Sequence, residues 1–576
     1  MNYRDFVTYL LEEKKLLDVD VYFAEFAVRL AGAEENSALY LLAALVSGAA
    51  NVNGEVCLPE TWIATAEKLR GYLKLDAEKE LPFAAEWLPE KLPERWEKVL
   101  VKQNGRFYLA GDLRFEEKIR TFVNAHSTEV VPGDFDESIS SLKLTAGQQD
   151  AVRCAAAPDN KFLVVSGGPG TGKTTILATI LAVRNEDAQR ICLCAPTGKA
   201  QARMQEALQE EIAKLNISKE CKEELKSIKC GTIHRILQYS PVERYRCNAG
   251  NQLECDLLVV DECSMVSLRQ LGRIIEALPD NASLILLGDY AQLASVQPGR
   301  VFADVCEMLK EKLGHLAVLT ESKRFPADKG VAKLRDQLSP ELVEPGEKAW
   351  ECLAARPEQL DLLPLPAPEK LPGFLKANLG GWMKDGKPFF EVETIEEAWE
   401  GFESMRILTP SVSGKYGSDA VSIHICNILG LEENSPGLPL LQRKNDYALD
   451  VYNGDTGLLW FAGEDRQPLR RSEAGKDCRC LVFFPKGDGK WHGIEPELLK
   501  EAETAFAMTV HKAQGSGYGK VLFILPELSA GEGLLTRELI YTAVTRGKPE
   551  AVVVTEKDIF TAAANRRVDR ASGLSK

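Results

Sequence analysis

The fold of this chain is decided by the stretch Leu163-Val164-Val165-Ser166-Gly167-Gly168-Pro169-Gly170-Thr171-Gly172-Lys173-Thr174-Thr175. The apolar run predicts a buried strand, the glycines a tight loop, and Lys-Thr-Thr the start of a helix. In this order the backbone N–H groups of the loop surround phosphates, and the helix N-terminus faces them. Lys173 would reach the β- and γ-phosphates, and the hydroxyl of Thr174 would hold Mg²⁺. The stretch therefore predicts that residues 167–175 bind a nucleoside triphosphate.

Composition sets the outer limits. The chain has 576 residues, which suggests several domains, and its hydrophobic content of 45% is ordinary for a globular protein. Its first residues do not resemble a signal peptide, and the apolar run 38–50 is too short to cross a bilayer. We expect a cytoplasmic protein. The net charge of −15 does not exclude nucleic-acid binding, because a local basic track can coexist with an acidic exterior.

The metal-ligating residue types are scattered. The 14 cysteines show no C-x-x-C pairing, so we expect reduced thiols in the core and no iron–sulfur cluster. The six histidines lack the H-x-x-x-H and E-x-x-H spacings of a metal site.

The order of predicted elements divides the chain into three zones. Residues 1–135 show helical patterns and no nucleotide motif. In residues 136–345, apolar runs that end in polar residues alternate with helical patterns, which predicts a doubly wound parallel sheet. Residues 346–576 predict a second α/β domain with a small β insertion at about 440–500. The proline-rich segment 363–368 is interpreted as a linker or a sheet edge.

A second apolar run ends in two carboxylates, in the sequence Leu258-Val259-Val260-Asp261-Glu262-Cys263. Downstream of a phosphate-binding loop, Asp261 would complete the Mg²⁺ coordination and Glu262 would polarise the attacking water. Adenylate kinases and GTPases share such loops, so these two motifs leave the class of protein open.

Further motifs narrow the class. In chain order they are Leu144-Thr145-Ala146-Gly147-Gln148, Ala195-Pro196-Thr197-Gly198-Lys199-Ala200, Thr232-Ile233-His234-Arg235, Gly288-Asp289-Tyr290-Ala291-Gln292-Leu293, Ser322-Lys323-Arg324-Phe325, Asn445-Asp446-Tyr447, Thr509-Val510-His511-Lys512-Ala513-Gln514-Gly515-Ser516 and Tyr541-Thr542-Ala543-Val544-Thr545-Arg546. This set resembles the superfamily 1 helicases of the 5′→3′ branch, and especially the RecD family of RecBCD (exodeoxyribonuclease V) alpha subunits. The resemblance covers nearly the whole chain. It implies two RecA-like motor domains, a small β-barrel-like insertion in the second, and a mainly helical N-terminal domain that docks other subunits.

The resemblance also implies roles at the nucleotide. Gln148 suits a contact with the amide edge of adenine, and Gly515 belongs to the nucleotide-binding set. Gln292 would sense the γ-phosphate. Arg324 and Arg546 would reach that phosphate from across a cleft, where a planar guanidinium stabilises charge on a transferring phosphoryl group. ATP would then close the two motor domains and hydrolysis would release them.

The same resemblance predicts a groove for single-stranded DNA. Hydroxyl, lysine and backbone N–H groups there would contact phosphates without reading sequence. The residues concerned are Pro196, Thr197, Lys199, His234, Thr509, His511 and Lys512.

Three residues depart from the family pattern. Cys263 replaces an alanine, which we expect to be harmless, and Ala294 replaces a proline, which loosens its loop. Gly517 replaces a glutamate that approaches the ribose in related helicases, which puts sugar discrimination in doubt.

The expected function is an ATP- and Mg²⁺-dependent 5′→3′ DNA helicase subunit with RecB-like and RecC-like partners, acting on single-stranded DNA and duplex ends in double-strand-break repair. We find no nuclease carboxylate cluster and assign no strand-cutting role. The alternatives are a stand-alone RecD-like helicase or conjugative-relaxase relative, and a structural ATPase subunit.

Overall fold

The structure is a computed structural model. It describes residues 3–34, 36–76, 81, 87–89, 91–140, 143–185, 190–242, 244–322, 324, 329–446, 448–475, 478–486, 489–528, 534–568 and 570–574. Within these ranges no helix is long and apolar enough to cross a membrane. Three residues of the predicted motifs, Lys323, Phe325 and Tyr447, lie outside the described residues.

The N-terminal zone combines helices with a small antiparallel sheet. Its elements are α1 (Tyr3–Glu12), α2 (Asp18–Ala31), α3 (Ser37–Asn51), β1 (Cys57–Pro59), α4 (Glu60–Ile63), α5 (Ala66–Leu73), β2 (Leu100–Gln103), β3 (Arg106–Leu109) and α6 (Ala110–His126). Helix α3 is apolar on all sides because it runs through the middle of this zone, and its side chains from Leu39 to Ala50 are buried. The sheet, in the order β1-β3-β2, was missed by the sequence analysis because its strands have only three or four residues.

The first motor domain is a six-stranded parallel sheet covered by helices on both faces. Its elements are α7 (Ala146–Ala156), β4 (Phe162–Gly167), α8 (Lys173–Arg184), β5 (Ile191–Ala195), α9 (Gly198–Lys214), α10 (Lys219–Lys226), β6 (Lys229–Thr232), α11 (Ile233–Ile236), β7 (Tyr239–Ser240), β8 (Arg244–Tyr245), β9 (Leu257–Val260), α12 (Leu268–Ala277), β10 (Ser283–Gly288), α13 (Val301–Leu309) and β11 (Leu316–Leu319). The strand order is β11-β4-β10-β9-β5-β6, with β7 and β8 forming a separate hairpin. Strands β4, β9 and β10 are buried along their whole length, which explains their unbroken apolar runs.

The second motor domain repeats this architecture with five parallel strands. Its elements are α14 (Gly330–Gln337), α15 (Gly346–Ala354), β12 (Leu360–Leu363), α16 (Leu371–Ala377), β13 (Met383–Lys384), β14 (Lys387–Pro388), α17 (Ile395–Glu403), β15 (Met405–Thr409), α18 (Ser418–Leu429), β16 (Pro439–Gln442), β17 (Thr456–Phe461), β18 (Cys480–Lys486), β19 (Lys490–Ile494), β20 (Ala502–Thr504), β21 (Ala507–Thr509), β22 (Tyr518–Ile524), α19 (Arg537–Val544), β23 (Gly547–Val554) and α20 (Lys557–Asn565). The parallel sheet has the order β12-β23-β22-β15-β21. Strand β12 is its edge, which places the proline-rich segment at the predicted edge position.

The predicted insertion is a five-stranded antiparallel sheet in the order β19-β18-β17-β16-β20. It spans 439–504, close to the predicted 440–500. Among the described residues, β19 and β20 are the two ends of this sheet and do not pair with each other, so the sheet is open rather than closed into a barrel.

Two domain borders differ from the sequence-based expectation. Helix α14 packs in the core of the second domain through Val331 and Leu334, so we propose that this domain begins near residue 329 rather than at 346. Helix α6 shares its core with the first motor domain, where Phe115 lies against Gly272 of α12. An ion pair between the exposed Arg269 and the buried Asp112 joins the same two helices, with Arg269 Nε donating to Asp112 Oδ1 at 2.6 Å. The N-terminal zone therefore packs directly against the first motor domain and is not connected to it by the chain alone.

Candidate nucleotide and DNA site

The phosphate-binding loop has the predicted form, with β4 ending at Gly167 and α8 beginning at Lys173. Gly170 and Gly172 have φ angles of +81° and +83°, a backbone region that glycine adopts without strain. A Cβ atom on Gly170 would lie 2.2 Å from Cβ of Arg324, so a side chain at 170 is also excluded by space. The loop thus exposes backbone rather than side chains.

Polar contacts hold the loop in shape. Lys173 Nζ donates to the carbonyl oxygens of Gly167 at 2.5 Å and Gly168 at 3.3 Å. Ser322 Oγ donates to the carbonyl oxygen of Pro169 at 2.9 Å. Thr174 and Thr175 follow Lys173 in the first turn of α8 and are half-buried.

The two carboxylates lie at the end of β9, the second neighbour of β4 in the sheet. Burial and the adjacent Glu262 raise the pKa of Asp261 to about 6, while Lys173 acts in the opposite direction. Glu262 has a φ of +52°, an uncommon conformation for a non-glycine residue, and its N–H donates to Asp261 Oδ1 at 2.8 Å. Cys263 is buried and its thiol donates to the carbonyl oxygen of Val260 at 3.1 Å, so this departure from alanine fits the core.

Gln148 has a role that the sequence did not suggest. Its buried Nε2 donates to the carbonyl oxygen of Thr171 at 2.8 Å, and its Oε1 accepts from the N–H of Thr145 at 2.9 Å. Both ends of the amide therefore brace the phosphate-binding loop against the start of α7. Its contact with adenine stays a prediction.

A buried network connects the nucleotide loop region with the second domain. Asp289 Oδ2 accepts from Gln292 Nε2 at 3.0 Å and from the hydroxyl of Tyr541 at 2.9 Å. The N–H of Leu293 donates to Thr542 Oγ1 at 2.9 Å, and its carbonyl oxygen accepts from Gln514 Nε2 at 2.7 Å. Gln292 Oε1 is buried without a hydrogen-bond partner among the described residues. Tyr541 and Gln514 lie inside the quoted motifs, but only the tertiary structure shows what they bind.

Arginines from three segments meet at the cleft. Arg546 is buried, and its Nη1 donates to the carbonyl oxygen of Ser516 at 3.1 Å. Arg203 Nη1 donates to the carbonyl oxygen of Gly515 at 2.9 Å, which links α9 to the second domain. Arg324 is exposed beside the phosphate-binding loop. Burial first, and then the neighbouring cations, lower the pKa of Arg324, whereas Glu262 raises it.

Arg203 was missed by the sequence analysis. It lies on α9, four positions after Lys199, and nothing in the sequence distinguishes it from a surface arginine.

Part of the predicted DNA groove lies at one edge of the first sheet. Strands β5 and β6 are neighbours that end at Ala195 and Thr232, so the segment 196–199 and His234 emerge side by side. Thr197 Oγ1 accepts from the N–H of Ala200 at 3.2 Å and caps α9. Burial lowers the pKa of His234, which therefore stays neutral at physiological pH.

The remaining predicted DNA residues follow β21 at the edge of the second sheet. Thr509 is buried, and Lys512 forms an ion pair with Glu503, which offsets its charge. Burial and then Arg570 lower the pKa of His511 to about 4. These residues belong to the second domain, whereas Pro196, Lys199 and His234 belong to the first, so a strand of DNA that contacts both sets crosses the domain boundary.

A phosphate-binding loop on one parallel sheet, an arginine supplied by a second such sheet and hydrogen bonds that join the two define an ATP-driven helicase of superfamily 1. The family described as AAA domain matches residues 148–298, and the UvrD-like helicase C-terminal domain matches residues 504–554. The N-terminal domain of RecBCD enzyme subunit RecD matches residues 12–105. The RecBCD enzyme subunit RecD of Mycolicibacterium smegmatis is 34% identical over 466 residues, which cover 77% of each chain. The chain belongs to the RecD family and is an ATP-dependent DNA helicase.

Two further similarities are more distant. The ATP-dependent RecD2 DNA helicase of Deinococcus radiodurans is 26% identical over 77% of this chain and 54% of its own length. A solved structure described as DNA unwinding at forked duplexes by two coordinating Pif1 helicases is 16% identical, covers 73% of this chain and 94% of its own, and has a TM-score of 0.39.

Proposed function

We propose that this chain is the 5′→3′ motor of a RecBCD-like helicase–nuclease complex, translocating on single-stranded DNA from duplex ends in the cytoplasm. The observation that carries the proposal is the pair of hydrogen bonds on Leu293, whose N–H and carbonyl both bind the second domain. Leu293 follows Gln292 directly in the chain. A movement of Gln292 in response to the γ-phosphate would therefore be passed to the second motor domain through the hydrogen bonds of Leu293.

The residues present fit ATP and Mg²⁺. The loop exposes backbone N–H groups, the half-buried Asp261 is under the electrostatic influence of Lys173, and Gln292 Oε1 has no partner among the described residues. Asp261 and Thr174 would hold Mg²⁺, and ATP supplies the phosphoryl group that is transferred to water.

Each side chain then has a defined task. Lys173, Arg324 and Arg546 stabilise the negative charge that develops on the transferred group. Glu262 orients the attacking water and accepts its proton. The backbone of Glu262 has a positive φ and its N–H is bound to Asp261 Oδ1, which fixes the two carboxylates next to each other at the end of β9.

Subunit docking is proposed for helix α2 in the N-terminal zone. Four apolar side chains of this helix and its N-cap residue are exposed. The accessible fractions are 45% for the N-cap residue Leu17, 53% for Val19, 70% for Tyr22 and 56% for Phe26. We call these four residues the α2 stripe. An apolar face of this kind on a charged protein marks a protein–protein contact. We propose that a RecC-like or RecB-like subunit covers it.

The polarity is tested on partial duplexes. With a 5′ single-stranded tail the chain, alone or with its partner subunits, should unwind the duplex, and with only a 3′ tail it should not. The Lys173→Gln variant serves as a control for unwinding by a contaminating helicase. Unwinding that begins solely from 3′ tails would overturn the proposed direction.

A further inference from the structure

A fourth cation joins the three arginines of the nucleotide cleft. Lys548 is the second residue of strand β23 and lies two residues after Arg546. Arg324, Arg203 and Arg546 all act on it electrostatically, and Glu403 is the carboxylate that opposes them. We call Arg203, Arg324, Arg546 and Lys548 the cation cluster.

The position of Lys548 depends on Gly517. A Cβ atom placed on Gly517 would lie 2.0 Å from Cε and 2.6 Å from Nζ of Lys548. The aliphatic stem of Lys548 therefore occupies the space that any side chain at 517 would take. Gly517 follows Ser516, whose carbonyl oxygen binds Arg546, so this space borders the cleft.

The cluster is short of negative charge. The carboxylate of Glu403 already accepts a hydrogen bond from Arg406 Nη2 at 2.7 Å. Its Oε2 atom also lies 3.8 Å from Arg203 Nη2. Among the described residues, neither Arg324 nor Lys548 has a hydrogen bond or an ion pair of its own. Both are exposed, so a ligand can reach them. Glu262 acts on Arg324 and Arg546, Asp289 acts on Arg546, and Glu403 acts on Lys548, so three carboxylates face four cations. An excess of like charge of this kind favours the binding of an anion.

We propose that Lys548 is a nucleotide-binding residue that contacts the phosphates of ATP, and that Gly517 is the residue that makes room for it. This inference rests on the nucleotide site proposed above and extends it, because neither residue was assigned a nucleotide contact from the sequence. Lys548 extends the cationic wall that Arg324 and Arg546 form. A phosphate bound there would interact with the compact ammonium charge of the lysine in addition to the planar guanidinium groups of the arginines.

Two variants and a matched control test the proposal. The dissociation constant of a fluorescent non-hydrolysable ATP analogue, measured with Mg²⁺, should rise about tenfold or more in Lys548→Ala, as expected for loss of a charge-assisted hydrogen bond. Gly517→Ala should have a similar effect, because its methyl group displaces the end of the lysine side chain. Lys520→Ala removes a nearby lysine that pairs with Glu550 and should leave the affinity unchanged.

The pH dependence separates a phosphate contact from a structural role. Lys548 is open to solvent at one side of the cleft, but its partial desolvation there, followed by the three arginines, lowers its pKa to about 8. The charged groups that face it are Arg203 from α9, Arg324, Arg546 and Glu403 from α17. The wild-type affinity should therefore fall between about pH 7.5 and 9.5 as Lys548 loses its proton. In Lys548→Arg the affinity should stay level.

The outcomes are distinct. If Lys548→Ala binds the analogue as tightly as the wild type while Lys173→Gln loses ATP hydrolysis, the role of Lys548 is refuted and the nucleotide site stands. If Lys520→Ala weakens binding as much as Lys548→Ala, the loss of affinity comes from removing any positive charge from this region, and the proposal fails. If neither Lys548→Ala nor Lys173→Gln changes binding or hydrolysis, the nucleotide site itself is wrong.

Discussion

Within the part of the chain that the structure describes, the Lys173 ammonium donates hydrogen bonds only to carbonyl oxygens of its own loop, those of Gly167 and Gly168. Replacement by glutamine therefore removes a charge from the cleft and leaves the sheet and its core untouched. We expect Lys173→Gln to lower the DNA-stimulated ATPase rate by at least about 100-fold, the magnitude typical for loss of one electrostatic stabiliser. Steady-state ATPase kinetics measure this, and a thermal melt like that of the wild type is the control for folding. Near-normal turnover would contradict the catalytic role.

At the residue scale, the sequence also assigned a role that the structure leaves open. It identified Gln148 as a contact for adenine from its place in a motif. The structure shows that both ends of the amide are already bound within the protein, to Thr171 and Thr145. A motif specifies which residues are present, whereas hydrogen-bond partners depend on which backbone groups the fold brings near.

Helix α2 is the element on which the subunit-docking proposal depends. We expect the double variant Tyr22→Asp, Phe26→Asp to lose co-purification with RecB-like and RecC-like subunits, because two charges are placed in an apolar contact. Its ATPase rate should remain, since the α2 stripe is exposed and outside the motor core. Pull-down paired with an ATPase assay measures both. Glu25→Gln, on the same helix, is the matched control and should still bind.

The element scale also shows where periodicity is a weak guide. Strands β4 and β9 were predicted because each is an unbroken apolar run of four residues or more. The N-terminal sheet was not, because its strands of three or four residues contain no unbroken apolar run of that length. Arg203 was missed for a related reason, since its role depends on the carbonyl oxygen of Gly515, 312 positions along the chain.

On the scale of the whole molecule, the C-terminal tail joins three parts of the fold. It leaves α20 in the second domain, and Arg570 Nη1 donates to the carbonyl oxygens of Gln297 at 3.1 Å and Gly299 at 2.9 Å in the first. The carbonyl oxygen of Ala571 then accepts from the N–H of Val56 at 2.9 Å in the N-terminal zone. The tail thus connects the zone that carries the α2 stripe with the loop that follows Gln292.

We expect Arg570→Ala to destabilise the chain by about 1 kcal/mol, because the partly buried carbonyl oxygen of Gly299 and the exposed one of Gln297 lose their donor. Deletion of residues 570–576 should cost more, since Ala571 and Leu574 are buried in the core shared with α6. Thermal melts of the two variants, compared with Lys557→Ala on the exposed face of α20, check this. Melting temperatures equal to that of the control would show that the tail does not contribute to the stability of the fold.

The shared core also changes what a truncation can test. The sequence shows no nucleotide motif in residues 1–135, and the resemblance implies that they form a docking domain. Phe115 and Ile119 of α6, however, are buried with Leu271 and Ile274 of α12. Deletion of residues 1–135 would expose this apolar surface, so point variants on α2 are the sharper test of docking.

By itself the sequence determined the two parallel sheets, the phosphate-binding loop, the carboxylate pair and the place in the RecD family, because each depends on residues that are close together in the chain. Only the tertiary structure decided how Leu293 is held between the two motor domains and that Lys548 lies over Gly517. These features arise from contacts between distant segments, such as Leu293 with Thr542 at a separation of 249 residues. Such contacts depend on how the two segments are placed by the fold, so the local pattern of polar and apolar residues does not predict them.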